Sequence, residues 1–198
     1  MQPHLIDAFQ RYGLPVRINA DNGPPWGSTR QAEHGLTPLT VWLVRLGIRI
    51  SHSAPRHPQT NGKIERFHRS LKDEVLAGRS FTDLPQAQAA FERWRRTYNH
   101  ERPHDALGLD TPARRYAVSP RRYPDKLPAI EYPQGYTVIF GSWNSQARFK
   151  GRRLTVPKAL FRLPIGVRPD SLEDGCFDLY FCHHRFMRVD LRTPSTTP

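Results

Sequence analysis

The sequence predicts an α/β fold followed by a small antiparallel β-barrel, and three observations lead there. Up to about residue 113, short and partly β-branched runs alternate with stretches of helical periodicity, the order expected when strands are joined through helices. After a stretch rich in Pro, Arg and Tyr, the runs become short, aromatic or β-branched, and turn residues such as Asp174-Gly175 separate them. Of the 198 residues, 37% are hydrophobic and 24% charged, which is lean for a globular chain but too apolar for a disordered one, so two small folded parts are expected.

The first dozen residues read as a helix, with Leu5, Ile6, Phe9 and Tyr12 at near-helical spacing and Gly13 placed to close it in a left-handed conformation. Val16 to Ala20 reads as a strand bounded by Pro15 and Asn22-Gly23, which leaves Asp21 at its C-terminal end. Thr37 as N-cap and Pro38 at the first position begin a second helix, whose Leu39, Trp42, Leu43 and Leu46 form one face until Gly47. Ile48 to Ser53 is the next strand and Pro55 to Gly62 a polar loop. From Lys63 to about Ala77 a helix carries Ile64, Phe67, Leu71 and Val75 on one side and Glu65, Arg69 and Lys72 on another. A further helix begins at Asp83, with Gln86 completing a capping-box pattern and Leu84, Ala87, Phe91, Trp94 and Tyr98 forming its apolar face. Residues 114–134 suit a linker lying along another surface. Strands are expected at Tyr136 to Phe140, Arg153 to Val156, Phe177 to Phe181 and Phe186 to Val189, and Thr193 to Pro198 is a disordered tail.

Lys and Arg number 30 against 18 Asp and Glu, a formal charge of +12 with an isoelectric point near 10.4. Residues 1–134 hold 20 basic against 13 acidic residues and residues 135–198 hold 10 against 5, so both parts carry the footprint of a polyanion binder. Cys176 and Cys182, with His183 and His184 beside the second, invite a zinc reading. A structural zinc site wants paired ligands at both ends of a loop, so two reduced thiols in a cytosolic compartment are expected instead. No apolar stretch is long enough to span a bilayer, and His4, Asp7 and Arg11 interrupt the N-terminal apolar residues as no signal peptide would.

The chemistry-bearing pattern is an acid at a strand end, Asp21, and an acid in the first turn of a helix, Glu65, 44 positions later. Two-metal phosphoryl transfer needs carboxylates converging from separate elements, because hard cations take oxygen ligands and must bridge the attacking and leaving oxygens. Taken separately, Asp-Asn-Gly is a common turn and a helix glutamate is usually a solvated charge.

Asp21 to Trp26, Pro58 to Arg66, the run Tyr98 to Leu107, then Thr111-Pro112 and Tyr116 together resemble the integrase-core transposases of bacterial insertion sequences. The resemblance covers residues 13–116 and extends loosely into the C-terminal part. It implies a partial ribonuclease-H-like core at 1–113, a basic Pro-rich linker at 114–134, a DNA-binding barrel at 135–192 and a tail at 193–198. It makes Asp21 and Glu65 catalytic and metal-binding, the metal Mg2+ or Mn2+, and the chemistry hydrolysis of a DNA end followed by attack of its 3′-hydroxyl on target DNA. The family's first aspartate has no counterpart: Asp7 lies too close before the Asp21 strand and within a helical pattern. An N-terminally truncated core, inactive by itself, is therefore expected, with the edge of the Asp21 strand bare and open to pairing with another chain.

DNA contacts are expected from Lys63, Arg66, Arg69 and Lys72, from Arg56, His57 and Asn61 in the preceding loop, and from Arg148, Lys150, Arg152 and Arg153 near a C-terminal hairpin. Arg102, Pro103 and His104 are read as fixing a turn, and Trp143 and Phe149 as packing aromatics. The expected partners are DNA, as element ends and target, and a second copy or an intact transposase; the expected location is the bacterial cytoplasm, at the nucleoid. A non-catalytic DNA binder or an inhibitor of intact transposase is the alternative. A generic basic architectural protein explains the charge but not the paired motifs.

Overall fold

A computed structural model describes residues 1–21, 23–27, 35–52 and 62–193, and the chain divides into two compact units, Met1–Ser53 with Ser119–Pro198, and Ala54–Val118. The architecture is mixed helix and sheet. No helix among the described residues is long and apolar enough to cross a membrane.

The first unit opens with α1 (Gln2–Tyr12), β1 (Arg17–Ala20), α2 (Pro38–Arg45) and β2 (Arg49–His52). Gly13 ends α1 with φ 75° and ψ 172°: φ is positive, as expected, but ψ lies outside the left-handed helical region. A Cβ at Gly13 would stand 2.5 Å from the Ser119 carbonyl oxygen, so the later chain passing alongside requires a glycine as much as the backbone angle does. Strands β1 and β2 pair in parallel, Arg17 opposite Arg49 through Ala20 opposite His52.

Helix α2 starts as the sequence indicates. Thr37 Oγ1 accepts the Thr40 N–H at 3.2 Å while Thr40 Oγ1 accepts the Thr37 N–H at 2.7 Å, a reciprocal cap. Its burial goes beyond the one expected face. Trp42, Leu43 and Leu46 join Phe9, Leu14 and Ile48 in one cluster, whereas Val41 and Val44, with Leu36, join a second cluster built mostly by the C-terminal strands. A helix apolar all round belongs inside a core, and α2 is the element shared by both halves of this unit.

Those strands are β3 (Thr137–Phe140), β4 (Gln146–Phe149), β5 (Arg152–Thr155), β6 (Pro164–Pro169), β7 (Cys176–Phe181) and β8 (His184–Asp190). Hydrogen bonds order β3-β6-β7-β8 in one antiparallel sheet and leave β4-β5 as a separate hairpin, so closure into the expected barrel is not shown by the ladders. Sheet and hairpin nevertheless share a core of Ile139, Phe149, Leu154, Val156, Leu160, Ile165, Val167, Leu179 and Phe181. Tyr132 lies across β6. Its hydroxyl is 3.0 Å from the Pro164 and Tyr180 carbonyl oxygens and accepts the Cys182 N–H at 3.2 Å, and burial raises its pKa to about 12. A Cβ on Gly166 would meet the Tyr132 ring at 2.4 Å, which is why a glycine interrupts the β6 pattern. Both cysteines are free thiols.

From Ser119 onward the Pro- and Arg-rich segment runs along the first unit: Leu14 N–H donates to the Arg121 carbonyl at 2.6 Å, Tyr123 packs with Phe9 and Trp42, and Ile130 packs against the C-terminal core. The compact units therefore cut across the limits 1–113 and 135–192, because α2 and residues 119–134 bind the first and last parts of the chain into one core.

The second unit contains α3 (Gly62–Leu71), which widens into a π turn at Lys72–Leu76, and α4 (Leu84–Arg96), which does the same at Thr97–Glu101; a 3-10 turn, Asp105–Leu107, and α5 (Pro112–Arg115) follow. Asp83 accepts the Gln86 N–H at 2.8 Å as expected, but the Gln86 side chain returns to the Thr82 N–H at 2.7 Å, one residue before the N-cap. Among its described residues only Val75 and Ala90 are buried. An aromatic cluster does the packing instead: Phe67 meets Trp94 at 5.3 Å and Tyr98 at 5.4 Å, both edge-on.

Candidate functional site

Asp21 directly follows β1 and is exposed. Its Oδ1 accepts the Gly23 N–H at 3.2 Å, closing the turn, and its carbonyl lies 2.9 Å from His52 Nδ1, which must carry the proton because a carbonyl can only accept. The ends of the two parallel strands are thereby tied through the Asp21 backbone carbonyl. Glu65 is exposed in the first turn of α3, where the helix's unpaired N–H groups favour an anion. Asp21 belongs to the first unit and Glu65 to the second. As donors the two suit a hard divalent cation, being carboxylate oxygens open to solvent. Among the described residues no group of three or more His, Cys, Asp or Glu side chains is placed to hold a metal ion.

Around Glu65 the surface of α3 is cationic: Lys63, Arg66 and Arg69 are exposed, as is Lys72 where the π turn begins. Arg56, His57 and Asn61 lie outside the described residues. What orients α3 is its other side. Glu74 accepts the Trp94 Nε1–H at 2.8 Å and both arms of the Arg102 guanidinium, at 2.9 and 2.5 Å, while that guanidinium sits 5.6 Å over the Tyr98 ring. Arg102 thus clamps the helix bearing Glu65 to α4, a larger task than fixing a turn. His104 donates from Nε2 to the Tyr98 carbonyl at 3.3 Å and does act within the turn.

The Arg102 hydrogen bonds hold the Glu74 carboxyl below its ordinary pKa. The stability it contributes is therefore present above the ordinary carboxylate value and is lost as pH falls through the lowered one. Because both side chains are about one-third exposed, Glu74→Gln is expected to cost the second unit only about 1 kcal/mol. Denaturant unfolding read by Trp94 fluorescence checks this, and the difference from the parent chain should vanish in acid.

In the C-terminal hairpin Arg148 and Arg153 are register partners and both are exposed. Lys150, at φ 45° in the turn, holds its Nζ 4.4 Å above the Phe177 ring. Arg152 is used internally, its guanidinium bonding the Asp190, Leu191 and Thr193 carbonyls. Phe149 is buried edge-on against Phe177 as expected. Trp143 is not a packing residue: it is 78% exposed, because the turn before β4 carries it out of the core.

One constellation has no counterpart among the sequence expectations. A cavity of about 460 Å³ in the first unit is lined by Arg17, Gly47, Arg49, Ile50, Ser51, His183, His184 and Arg185. Its only trace in the sequence is an arginine at the head of each of two successive strands, which becomes informative once their parallel register is known.

Residues 46–112 match the integrase core domain, and residues 143–197 match the C-terminal domain of the IS481 family transposases. Over these two segments the chain is similar to integrase-core, insertion-sequence transposases. Its relatives include an uncharacterized 39.2 kDa protein of insertion element IS476 from Xanthomonas euvesicatoria, 35% identical over 101 residues, covering 51% of this chain and 27% of the relative. Another is an uncharacterized 31.7 kDa protein of insertion element IS407 from Burkholderia multivorans, 31% identical over 109 residues, covering 54% of this chain and 36% of the relative. The transposase for insertion sequence element IS21 from Pseudomonas aeruginosa is 30% identical over 122 residues, covering 61% of this chain and 30% of that protein. The chain spans between 27% and 36% of the length of these curated relatives.

Proposed function

We propose that the chain is part of a DNA transposase, in which Asp21 and Glu65 are two of the carboxylates of a metal-dependent phosphoryl-transfer site and the C-terminal sheet and hairpin act as a DNA-binding barrel. The observation that carries this reading is Glu65 itself: an exposed carboxylate on an otherwise cationic helix surface, within the segment that matches the integrase core. Magnesium or manganese bound by such carboxylates would polarise a phosphodiester and stabilise the leaving oxygen. The protein's own part is to present DNA. Lys63, Arg66, Arg69 and Lys72, with Arg56 before them, neutralise backbone phosphates, His57 and Asn61 hydrogen-bond to them, and Arg148, Lys150 and Arg153 grip a second stretch. A cytoplasmic, nucleoid-bound protein follows, with self-association or association with intact transposase on paired DNA ends.

No aspartate of this sequence matches the family's first, so the polypeptide Met1–Pro198 by itself is expected to bind DNA without joining its ends. Fluorescence anisotropy with a DNA duplex should show affinity falling steeply between about 50 and 200 mM salt. Lys63→Gln with Arg69→Gln should flatten the slope of log K against log salt by about 0.9 for each phosphate that is no longer neutralised. An affinity indifferent to salt would sink the DNA reading, and magnesium-dependent joining of DNA ends by this polypeptide alone would sink the incomplete-site reading. Asp21→Asn with Glu65→Gln separates catalysis from mere interference: inhibition of an intact transposase that survives both changes is binding, not metal chemistry.

A further inference from the structure

We infer that the cavity where the β1–β2 pair meets the turn joining β7 to β8 binds a phosphate oxyanion, supplied by the DNA backbone. The choice of DNA as source rests on the function proposed above; the chemistry of the cavity does not. Arg17 and Arg49 are direct register partners, and like charges placed opposite each other in a sheet are unfavourable unless something relieves them. Among the described residues no carboxylate lines the cavity and no ion pair holds Arg17 or Arg49. Arg185 adds a third guanidinium, partly balanced by Asp178, whose carboxylate oxygens lie 3.3 and 3.4 Å from its Nη1. Forked guanidinium donors suit the geometry of phosphate oxygens, and Ser51 is also among the lining residues.

His183 and His184 complete the wall, and burial, their largest influence, keeps both below the ordinary histidine pKa. Cationic neighbours act the same way, Arg49 and Arg121 on His183, and His183 and His52 on His184. Among the described residues the other charges of this region include Arg17 on β1, Arg45 on α2, Arg185 on β8 and Asp178 on β7. A bound phosphate reverses the balance by stabilising the protonated rings. Binding then takes up protons: it is strongest below the free-state histidine pKa and weakens as pH rises through the bound-state value.

The test uses the full chain and two probes, inorganic phosphate followed through the His183 and His184 ring resonances, and a short DNA duplex followed by anisotropy. The variants are Arg17→Gln and Arg49→Gln, at exposed strand positions, with His184→Gln for the pH arm; circular dichroism and melting check that each folds. In the parent chain DNA affinity should rise as pH falls below about 6.5. Each arginine variant should flatten the salt slope by about 0.9, and His184→Gln should reduce the pH effect. Ring shifts with both probes, or with DNA only, support the inference. Shifts with phosphate only keep the oxyanion site but overturn DNA as its source. No ring shift and unchanged DNA binding in both arginine variants overturn the inference, while the Lys63 and Arg69 variants still judge the DNA reading independently.

Discussion

Phe181→Ala is expected to destabilise the first unit by about 3–5 kcal/mol, a large share of the roughly 5–15 kcal/mol that holds a typical domain together. Phe181 is fully buried on β7, and its cluster includes Leu36, Val41 and Val44 from the region of α2 as well as the C-terminal strands. Truncation removes the ring's transfer free energy and leaves a hole that a close-packed core fills only partly. Phe181→Leu, which keeps most of the volume, should cost less than about 1.5 kcal/mol. Urea unfolding decides the matter. If α2 and the C-terminal sheet form one core, Trp42 fluorescence and the sheet's circular dichroism are lost in a single transition that shifts together in the variant. Two separate transitions, with only the sheet's displaced, would show that the strands fold independently of α2.

Arg121→Ala should cost about 1.5–3 kcal/mol, the range for hydrogen bonds made by a charged group. Its Nη1 donates to the Pro15 carbonyl at 3.0 Å and its Nη2 to the Leu46 and Gly47 carbonyls at 2.8 and 3.2 Å. The latter two are carbonyls at the C-terminal end of α2, which have no intrahelical partner and favour a cation there. Gly47 leaves the space: with φ 72° it takes a conformation suited to glycine, and a Cβ would stand 2.9 Å from the Arg121 guanidinium. Lysine cannot span three carbonyls with one ammonium, so Arg121→Lys should recover only part of the stability. Hydrogen exchange at Leu14 supplies the second reading, since its N–H donates to the Arg121 carbonyl and should open faster in the alanine variant. Unchanged stability with unchanged exchange would mean that residues 119–123 merely lie on the surface.

Local signals carry much of the fold. Thr37-Pro38 and Asp83 announce helix starts that the structure caps with those very side chains, and Asp21 falls directly after a strand as its flanking turn residues indicate. Strands β4 and β6 are not legible. Gln146–Phe149 is too short and basic to show alternation, and β6 begins and ends in proline and is interrupted by a glycine that the Tyr132 ring demands. Val41 and Val44 stay hidden because a helix with apolar residues on two sides blurs the single stripe that periodicity detects. Trp143 departs from expectation because aromatic content says how much surface a residue can bury, not which way its turn points.

For the sites the division is sharper. Asp21, Glu65 and the cations beside Glu65 can be named from the sequence, since an acid at a strand end and an acid among lysines and arginines on one helix turn depend on spacing of a few residues. The Glu74–Trp94–Arg102 clamp and the Arg17–Arg49–Arg185 cavity cannot, because the clamp's bonds to Glu74 span 20 and 28 positions and the cavity joins residues well over 100 positions apart. Chain composition and period decide which residues can face together within one element. Which elements meet is decided by parallel register and by α2 burying both its sides, and these are settled only by the summed packing of the whole unit.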